Sequence, residues 1–201
     1  MRLIGITGGV GAGKTEILSY IRQHYNCKIY LADEVAHMIQ MPGQACHERM
    51  VALLGQGVLA PDGSIDRGKL AARIFLDKNL LQKVNAIVHP AVRDYLEEAV
   101  RTAAQDGKTE LFFIEAALLI ENGYRDFVDE MWYIYASDEV RRKRLEKNRN
   151  YTRERIDHIM ANQLSEEAFR KDSDFVIDNN GDLSEAYSQI KKRLEAYTWQ
   201  E

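Results

Sequence analysis

Five short runs of apolar residues recur along the chain, and stretches with helical periodicity separate them. Each run is mostly unbroken rather than alternating, as expected for strands that are buried on both faces of a parallel sheet. The alternation of such strands with helices predicts an α/β fold with a five-stranded parallel sheet. The predicted strands span residues 3–7, 27–31, 111–115, 131–136 and 175–178.

The long interval between the second and third predicted strands carries a helical pattern. Pro90 is expected to interrupt that pattern, so His89-Pro90 predicts a junction between two helices. The interval is either extra helical packing or a substrate-binding subdomain at the mouth of the sheet, because ligands bind at the carboxyl ends of parallel strands. The apolar residues that recur at three- and four-residue steps are Leu81, Val84, Val88, Val92, Leu96 and Val100.

A glycine-rich segment, residues 8–15, follows the first predicted strand and fits the pattern of glycine, four residues and Gly-Lys-Ser/Thr. Its glycines allow consecutive backbone N–H groups to turn inward around phosphate oxygens. Lys14 can reach the β- and γ-phosphates, and the Thr15 hydroxyl can bind Mg²⁺. The alternative is an ordinary glycine-rich turn, but the strand before the segment and the amphipathic helix after it are the context that phosphate binding requires.

Basic residues crowd the segment 141–155, where only two glutamates oppose them. Such a run is usually a solvated helix face. In a chain of net charge −4 that carries a phosphate-binding loop, we favour a lid that faces phosphate, because guanidinium groups match phosphate geometry. Arg144 is expected to be the main phosphate contact, with Arg141 and Arg149 as further candidates. The basic residues are Arg141, Arg142, Lys143, Arg144, Lys147, Arg149, Arg153 and Arg155.

Two carboxylates stand where predicted strands end. Asp33 could accept a proton from an attacking hydroxyl at the switch point of the sheet. It could equally be a helix N-cap, although Ala36 provides no capping box. Glu115 ends the third strand, where phosphate-loop proteins often carry an acid that holds the Mg²⁺ shell. The alternative for Glu115 is an ordinary strand-end carboxylate.

Two further polar segments allow a structural and a functional interpretation. His89 either orients a substrate or is a hydrogen-bonded structural histidine. Asn179 and Gly181 follow the fifth predicted strand, where an adenine ring could rest on a loop. The alternative there is a plain turn, because Asn-Gly is a common turn dipeptide.

The composition limits the number of domains and the kinds of partner and site that the chain can have. A chain of 201 residues with 45% hydrophobic residues predicts one domain, or one domain with insertions. Its small net charge implies no general affinity for nucleic acid or membranes. Cys27 and Cys46 have no spacing typical of a zinc or redox site, and no apolar run is long enough to span a bilayer. We expect a cytoplasmic monomer or small homo-oligomer with no nucleic-acid and no membrane partner.

Several segments, taken in order, resemble dephospho-coenzyme A kinases. They are Gly-Ile-Thr-Gly-Gly-Val-Gly-Ala-Gly-Lys-Thr at 5–15, Ala-Asp-x-x-Ala-His at 32–37, Asn-Ala-Ile-Val-His-Pro at 85–90, Leu-Leu-Ile-Glu at 118–121 and Asp-Asn-Asn-Gly at 178–181. Two positions depart from the family pattern. Leu31 replaces the first acid of the usual Asp-x-Asp, so only Asp33 can serve as the base there, and Ala117 replaces a proline before Leu118.

The resemblance implies a three-layer P-loop kinase fold that transfers the γ-phosphate of ATP to the ribose 3′-hydroxyl of dephospho-CoA. It implies a core of residues 1–60, 108–140 and 172–201, a helical CoA-binding insert at 61–107 and a helical lid at 141–171. Asp33, Lys14 and Arg144 would be catalytic. The residues that the resemblance assigns to ATP are Gly9, Gly11, Ala12, Gly13, Lys14, Thr15, Glu16, Arg149, Asn179 and Gly181. Those assigned to the substrate are Asp33, His37, His89, Leu118 and Glu121. Those assigned to Mg²⁺ are Thr15 and Glu115.

Three other classes of function compete with this one. Another small-molecule kinase of the same fold, such as one acting on nucleoside monophosphates, would be separated by substrate competition. A GTPase switch requires a guanine-reading Asn-Lys-x-Asp, which the sequence lacks. A nucleic-acid partner is disfavoured by the overall acidity and by the absence of aromatic residues within 141–149.

Overall fold

The computed structural model describes residues 1–197, so the last four residues of the predicted core segment 172–201 lie outside the described part. The strands are β1 Arg2–Thr7, β2 Cys27–Leu31, β3 Leu111–Glu115, β4 Glu130–Tyr135 and β5 Phe175–Asp178. The α-helices are α1 Lys14–His24, α2 Ala32–Ile39, α3 Ala45–Leu54, α4 Arg67–Leu76, α5 Lys78–Asp106, α6 Asp138–Arg149, α7 Arg153–Ala161, α8 Glu166–Lys171 and α9 Leu183–Glu195.

The five strands form one sheet in the order β2-β3-β1-β4-β5. β1 pairs in parallel with both β3 and β4, and β4 pairs in parallel with β5. The predicted α/β class and all five predicted strands are therefore confirmed. β1 begins one residue earlier than predicted, and β4 begins and ends one residue earlier, because Arg2 pairs with Leu111 and Glu130 pairs with Ile4 in the sheet.

The first of two compact units comprises Met1–Ile29 and the described residues from 107 onward. Its core is built on the central strands, where Ile4, Ile6, Phe113 and Trp132 are fully buried. The unbroken apolar runs of these strands follow from this burial on both faces of the sheet. The unit thus provides a rigid support for the loops at the carboxyl ends of β1, β3 and β4.

The second compact unit, Tyr30–Asp106, is helical, and α2, α3 and α4 pack against its longest helix, α5. The predicted junction at His89-Pro90 is wrong, because α5 continues through Pro90. Pro90 removes one backbone donor, but it is exposed, while Val84 and Val92 on either side of it are buried. Packing of this face therefore holds the helix together across the proline.

Within the described residues, no helix is both long enough and apolar enough to cross a membrane.

Candidate functional site

The glycine-rich segment forms the loop between β1 and the N-terminus of α1. Gly11 and Gly13 have φ angles of 84° and 94°, a region that glycine adopts without steric cost. The N–H of Ala12 donates to the carbonyl oxygen of Gly9 at 3.1 Å, which closes a tight turn. α1 begins at Lys14 with no side-chain cap, so the positive end of the helix dipole faces the loop without a competing side-chain acceptor. This is the geometry of a phosphate-binding loop.

Lys14 lies inside this loop. Its Nζ donates to the carbonyl oxygen of Gly8 at 2.7 Å and lies 3.6 Å from Oε1 of Glu115. Both charged side chains are mostly buried, at 15% and 14% exposure. The sheet thus brings Glu115, at the end of β3, next to the loop lysine.

The oxygen groups near this lysine fit a hard cation. The hydroxyl of Thr15, exposed in the first turn of α1, and the carboxylate of Glu115 are the donor types that Mg²⁺ prefers. Among the described residues, no group of three or more His, Cys, Asp or Glu side chains could hold a metal ion. The assignment of Thr15 and Glu115 to Mg²⁺ stays a prediction.

Arg144 and Asn179 meet at the backbone of the loop. Nη1 and Nη2 of Arg144 donate to the carbonyl oxygens of Ala12 at 3.3 Å and of Asn179 at 2.8 Å. Asn179 is 1% exposed, and its Nδ2 also donates to Ala12 O, at 2.7 Å. A Cβ at Gly13 would overlap that Nδ2, so glycine is required there by the packing as well as by its φ angle. The structure therefore places Arg144, the predicted phosphate contact, and Asn179, a residue assigned to ATP, directly against the loop.

Arg141 lies against the opposite end of the loop. Its Nε donates to the carbonyl oxygen of Val10 at 3.0 Å, and its Nη2 donates to Oε1 of Gln163. The same Oε1 accepts the N–H of Val10 at 3.3 Å. Burial lowers the pKa of Arg141, and the nearby carboxylate of Asp138 opposes that shift. Gln163 was not among the predicted residues, because a lone glutamine between two helices gives no pattern in the sequence.

The remaining basic residues of the run 141–155 lie at the protein surface. Arg149, assigned to ATP from the sequence, is exposed at the end of α6. The run therefore divides into two arginines that contact the loop backbone and a solvated face. The residues of that face pair as Arg142 with Asp157, Lys143 with Glu139, Arg153 with Glu146, and Arg155 over the ring of Tyr151.

Asp33 lies in the second compact unit, in the first turn of α2. The alternative interpretation of Asp33 as a helix N-cap is wrong. The N-cap residue is Leu31, because α2 follows directly after β2. The side chain of Leu31 makes no capping hydrogen bond. Asp33 is exposed, and the described residues provide no hydrogen bond or ion pair to its carboxylate. It is thus available for chemistry rather than committed to the helix end.

The other predicted substrate residues are also exposed. In the second unit, His37 lies in the last turn of α2 and His89 lies within α5. In the first unit, Leu118 is 46% exposed and Glu121 is exposed, both in the turns after β3. Each assignment to the substrate stays a prediction.

Comparisons with known proteins agree with this geometry. The sequence model of the dephospho-CoA kinase family matches residues 2–185. The dephospho-CoA kinase of Geobacter sulfurreducens is 35% identical over 192 residues, which is 96% of each chain. The solved structure of TT1252 from Thermus thermophilus superposes with a TM-score of 0.82 at 28% identity, covering 98% of each chain.

A dephospho-CoA kinase from Campylobacter jejuni shares the fold, with a TM-score of 0.71 at 21% identity, over 96% of this chain and 95% of that chain. The family match covers the phosphate loop, Glu115, Arg144 and Asn179, the residues that the structure brings together. On the strength of that match and of near-full-length identity above 30%, the chain belongs to the dephospho-CoA kinase family.

Proposed function

We propose that this chain transfers the γ-phosphate of ATP to the ribose 3′-hydroxyl of dephospho-CoA, giving CoA and ADP. The observation that carries the proposal is the loop with Lys14, Arg144 and Asn179 packed around it, in a member of this kinase family. Phosphoryl transfer has a loose transition state, so a protein catalyses it mainly by positioning and by charge stabilisation. The loop and its cations supply both.

The residues of the first unit have distinct roles in this proposal. The inward N–H groups of the loop and the ammonium of Lys14 hold the β- and γ-phosphates. Arg144 uses two N–H donors on backbone carbonyls, which leaves its other donors for the transferring phosphate. Thr15 and Glu115 would hold Mg²⁺, which, when bound, neutralises charge on the phosphate oxygens. Asn179 and Gly181 would border the adenine.

The acceptor side of the reaction is assigned to other residues. Asp33 would take the proton of the 3′-hydroxyl as that oxygen attacks phosphorus. His37, His89, Leu118 and Glu121 would position dephospho-CoA. The proposal includes an insert at 61–107 for the CoA moiety, a lid at 141–171, and action in the cytoplasm as a monomer or small homo-oligomer without nucleic-acid or membrane partners.

A coupled ADP-release assay tests this proposal. The purified chain with ATP and Mg²⁺ is offered dephospho-CoA, AMP, CMP, adenosine and pantetheine phosphate in parallel. Dephospho-CoA is expected to give the highest kcat/KM, with the other acceptors near the rate of water. If another acceptor gives release while dephospho-CoA gives none above water, the proposed substrate is wrong.

Replacing Arg144 by lysine keeps the charge but removes the planar fork. Arg144→Lys is expected to lower kcat more than it weakens ATP binding, because the contact tightens as charge spreads over the transferring phosphate. Steady-state kinetics and ATP titration measure the two effects. Lys143→Ala is the matched control, because Lys143 is an exposed neighbour that pairs with Glu139. Equal and small effects of the two substitutions would show that the guanidinium of Arg144 does not act on the transferring phosphate.

A further inference from the structure

The peptide groups on both sides of Val10 are held by two side chains from outside the loop. The N–H of Val10 donates to Oε1 of Gln163 at 3.3 Å, and its carbonyl oxygen accepts from Nε of Arg141 at 3.0 Å. Nη2 of Arg141 donates to the same Oε1 of Gln163. Val10, Gln163 and Arg141 therefore form a ring of hydrogen bonds, in which Oε1 of Gln163 accepts from both the loop N–H and the arginine.

This arrangement fixes the direction of the next loop N–H. A trans peptide is planar, so its C=O and N–H point to opposite sides. Because Arg141 holds the carbonyl of Val10, the N–H of Gly11 in the same peptide plane points away from Arg141. The bond from Gln163 fixes the preceding peptide plane in the same way. Two consecutive planes of the loop are thus locked before any phosphate is bound.

The closeness of packing supports a specific fit at this point. The side chain of Arg141 is 11% exposed, and its guanidinium occupies the space that a Cβ at Gly9 would take. A Cβ at Gly11 would lie 3.0 Å from the backbone oxygen of Arg141. Gln163 lies between α7 and α8 and is partly exposed, so its side chain is the component of the ring that can be changed with little disturbance of the core.

We propose that Gln163 is a positioning residue for ATP: together with Arg141 it orients the Val10 peptide groups so that the following loop N–H groups face the phosphates. The inference rests on the proposed function of the loop. Preorganised N–H groups stabilise developing negative charge without reorganisation at the moment of reaction, so loosening them affects both ATP binding and kcat.

The test compares Gln163→Ala, Gln163→Asn and Gln163→Glu with the neighbouring control Asn162→Ala. Asn162 is the C-cap of α7, and the side-chain hydrogen bond that the described residues give it runs to His158 O, so Asn162→Ala leaves the loop contacts intact. ATP affinity is measured by calorimetry with Mg²⁺ and without an acceptor, and kcat by ADP release with dephospho-CoA. Protection of the Val10 amide against hydrogen exchange is followed in the nucleotide-free protein.

Gln163→Ala, which loses the acceptor, and Gln163→Asn, which withdraws it by one methylene, are expected to weaken ATP binding about tenfold, or about 1.4 kcal/mol. Both are expected to lower kcat and the protection of Val10, with KM for dephospho-CoA unchanged. Gln163→Glu keeps an acceptor oxygen for both donors and is expected to stay within about threefold of wild type.

Three results would overturn the proposal. In the first, Gln163→Ala binds ATP as Asn162→Ala does. In the second, Gln163→Glu loses as much affinity as Gln163→Ala. In the third, the variants only melt earlier while their kinetics are unchanged, as a purely structural residue would give. Should wild type bind ATP but release no ADP with dephospho-CoA, the proposed function fails, while the ATP affinities of the variants still decide the role of Gln163.

Discussion

Lys14→Ala is expected to lower the rate of phosphoryl transfer about 10²–10³-fold, the usual effect of removing one preorganised donor from a transition state. The ammonium lies 2.7 Å from the carbonyl oxygen of Gly8 and 3.6 Å from the carboxylate of Glu115, so it is already held inside the loop. Alanine leaves the loop backbone in place but removes the charge that meets the β- and γ-phosphates. Single-turnover measurement of ADP formation at saturating ATP separates this loss from weaker binding.

Lys191→Ala is the matched control for this experiment. Lys191 lies on α9 with a 65% exposed side chain, 3.7 Å from the carboxylate of Glu195. Its removal is expected to leave the rate unchanged, because exposed ion pairs contribute little. A rate near that of wild type in Lys14→Ala would refute the role of the lysine.

Asp33→Asn is expected to lower kcat about 10²–10⁴-fold while ATP affinity is nearly unchanged, because asparagine keeps the shape but cannot accept a proton. The structure removes the main competing explanation, since the N-cap of α2 is Leu31 and no capping bond is lost on substitution. Thermal stability is therefore expected to be close to that of wild type. Steady-state kinetics with dephospho-CoA, ATP titration and thermal melting measure the three quantities.

The neighbouring carboxylate provides the control for Asp33. Glu34 is also exposed in the first turn of α2, so Glu34→Gln removes a negative charge at nearly the same place. It is expected to retain kcat. If Asp33→Asn keeps its kcat, or if both substitutions lower it equally, the proton-accepting role of Asp33 must be abandoned.

The sheet was predictable because its strands are short, mostly unbroken apolar runs, and the central strands β1, β3 and β4 are buried on both faces. The loop was predictable because its glycines and Lys14 stand at fixed spacing. The break expected at Pro90 did not occur. The loss of the one backbone hydrogen bond that proline cannot donate was outweighed by the packing of Val84 and Val92 on either side. Tertiary packing of this kind cannot be predicted from the residues next to the proline.

The candidate site was only partly accessible from the sequence. Glu115 was predictable as a strand-end acid, and the structure places it beside Lys14. The contacts of Arg141 with Val10 and Gln163 join residues far apart in the chain, so no local spacing encodes them. The same holds for Asn179, which was predicted to border adenine and which the structure also places on the carbonyl of Ala12.

The position of the new phosphate is the measurement that tests the account most directly. Wild-type chain is incubated with ATP, Mg²⁺ and dephospho-CoA, and the product is examined by mass spectrometry and by phosphorus–proton NMR. We expect one added phosphate, coupled to the ribose 3′ proton, in a product identical to CoA, and no product from an analogue that lacks the 3′-hydroxyl. A phosphate at another position, or phosphorylation of the 3′-deoxy analogue, would contradict the account.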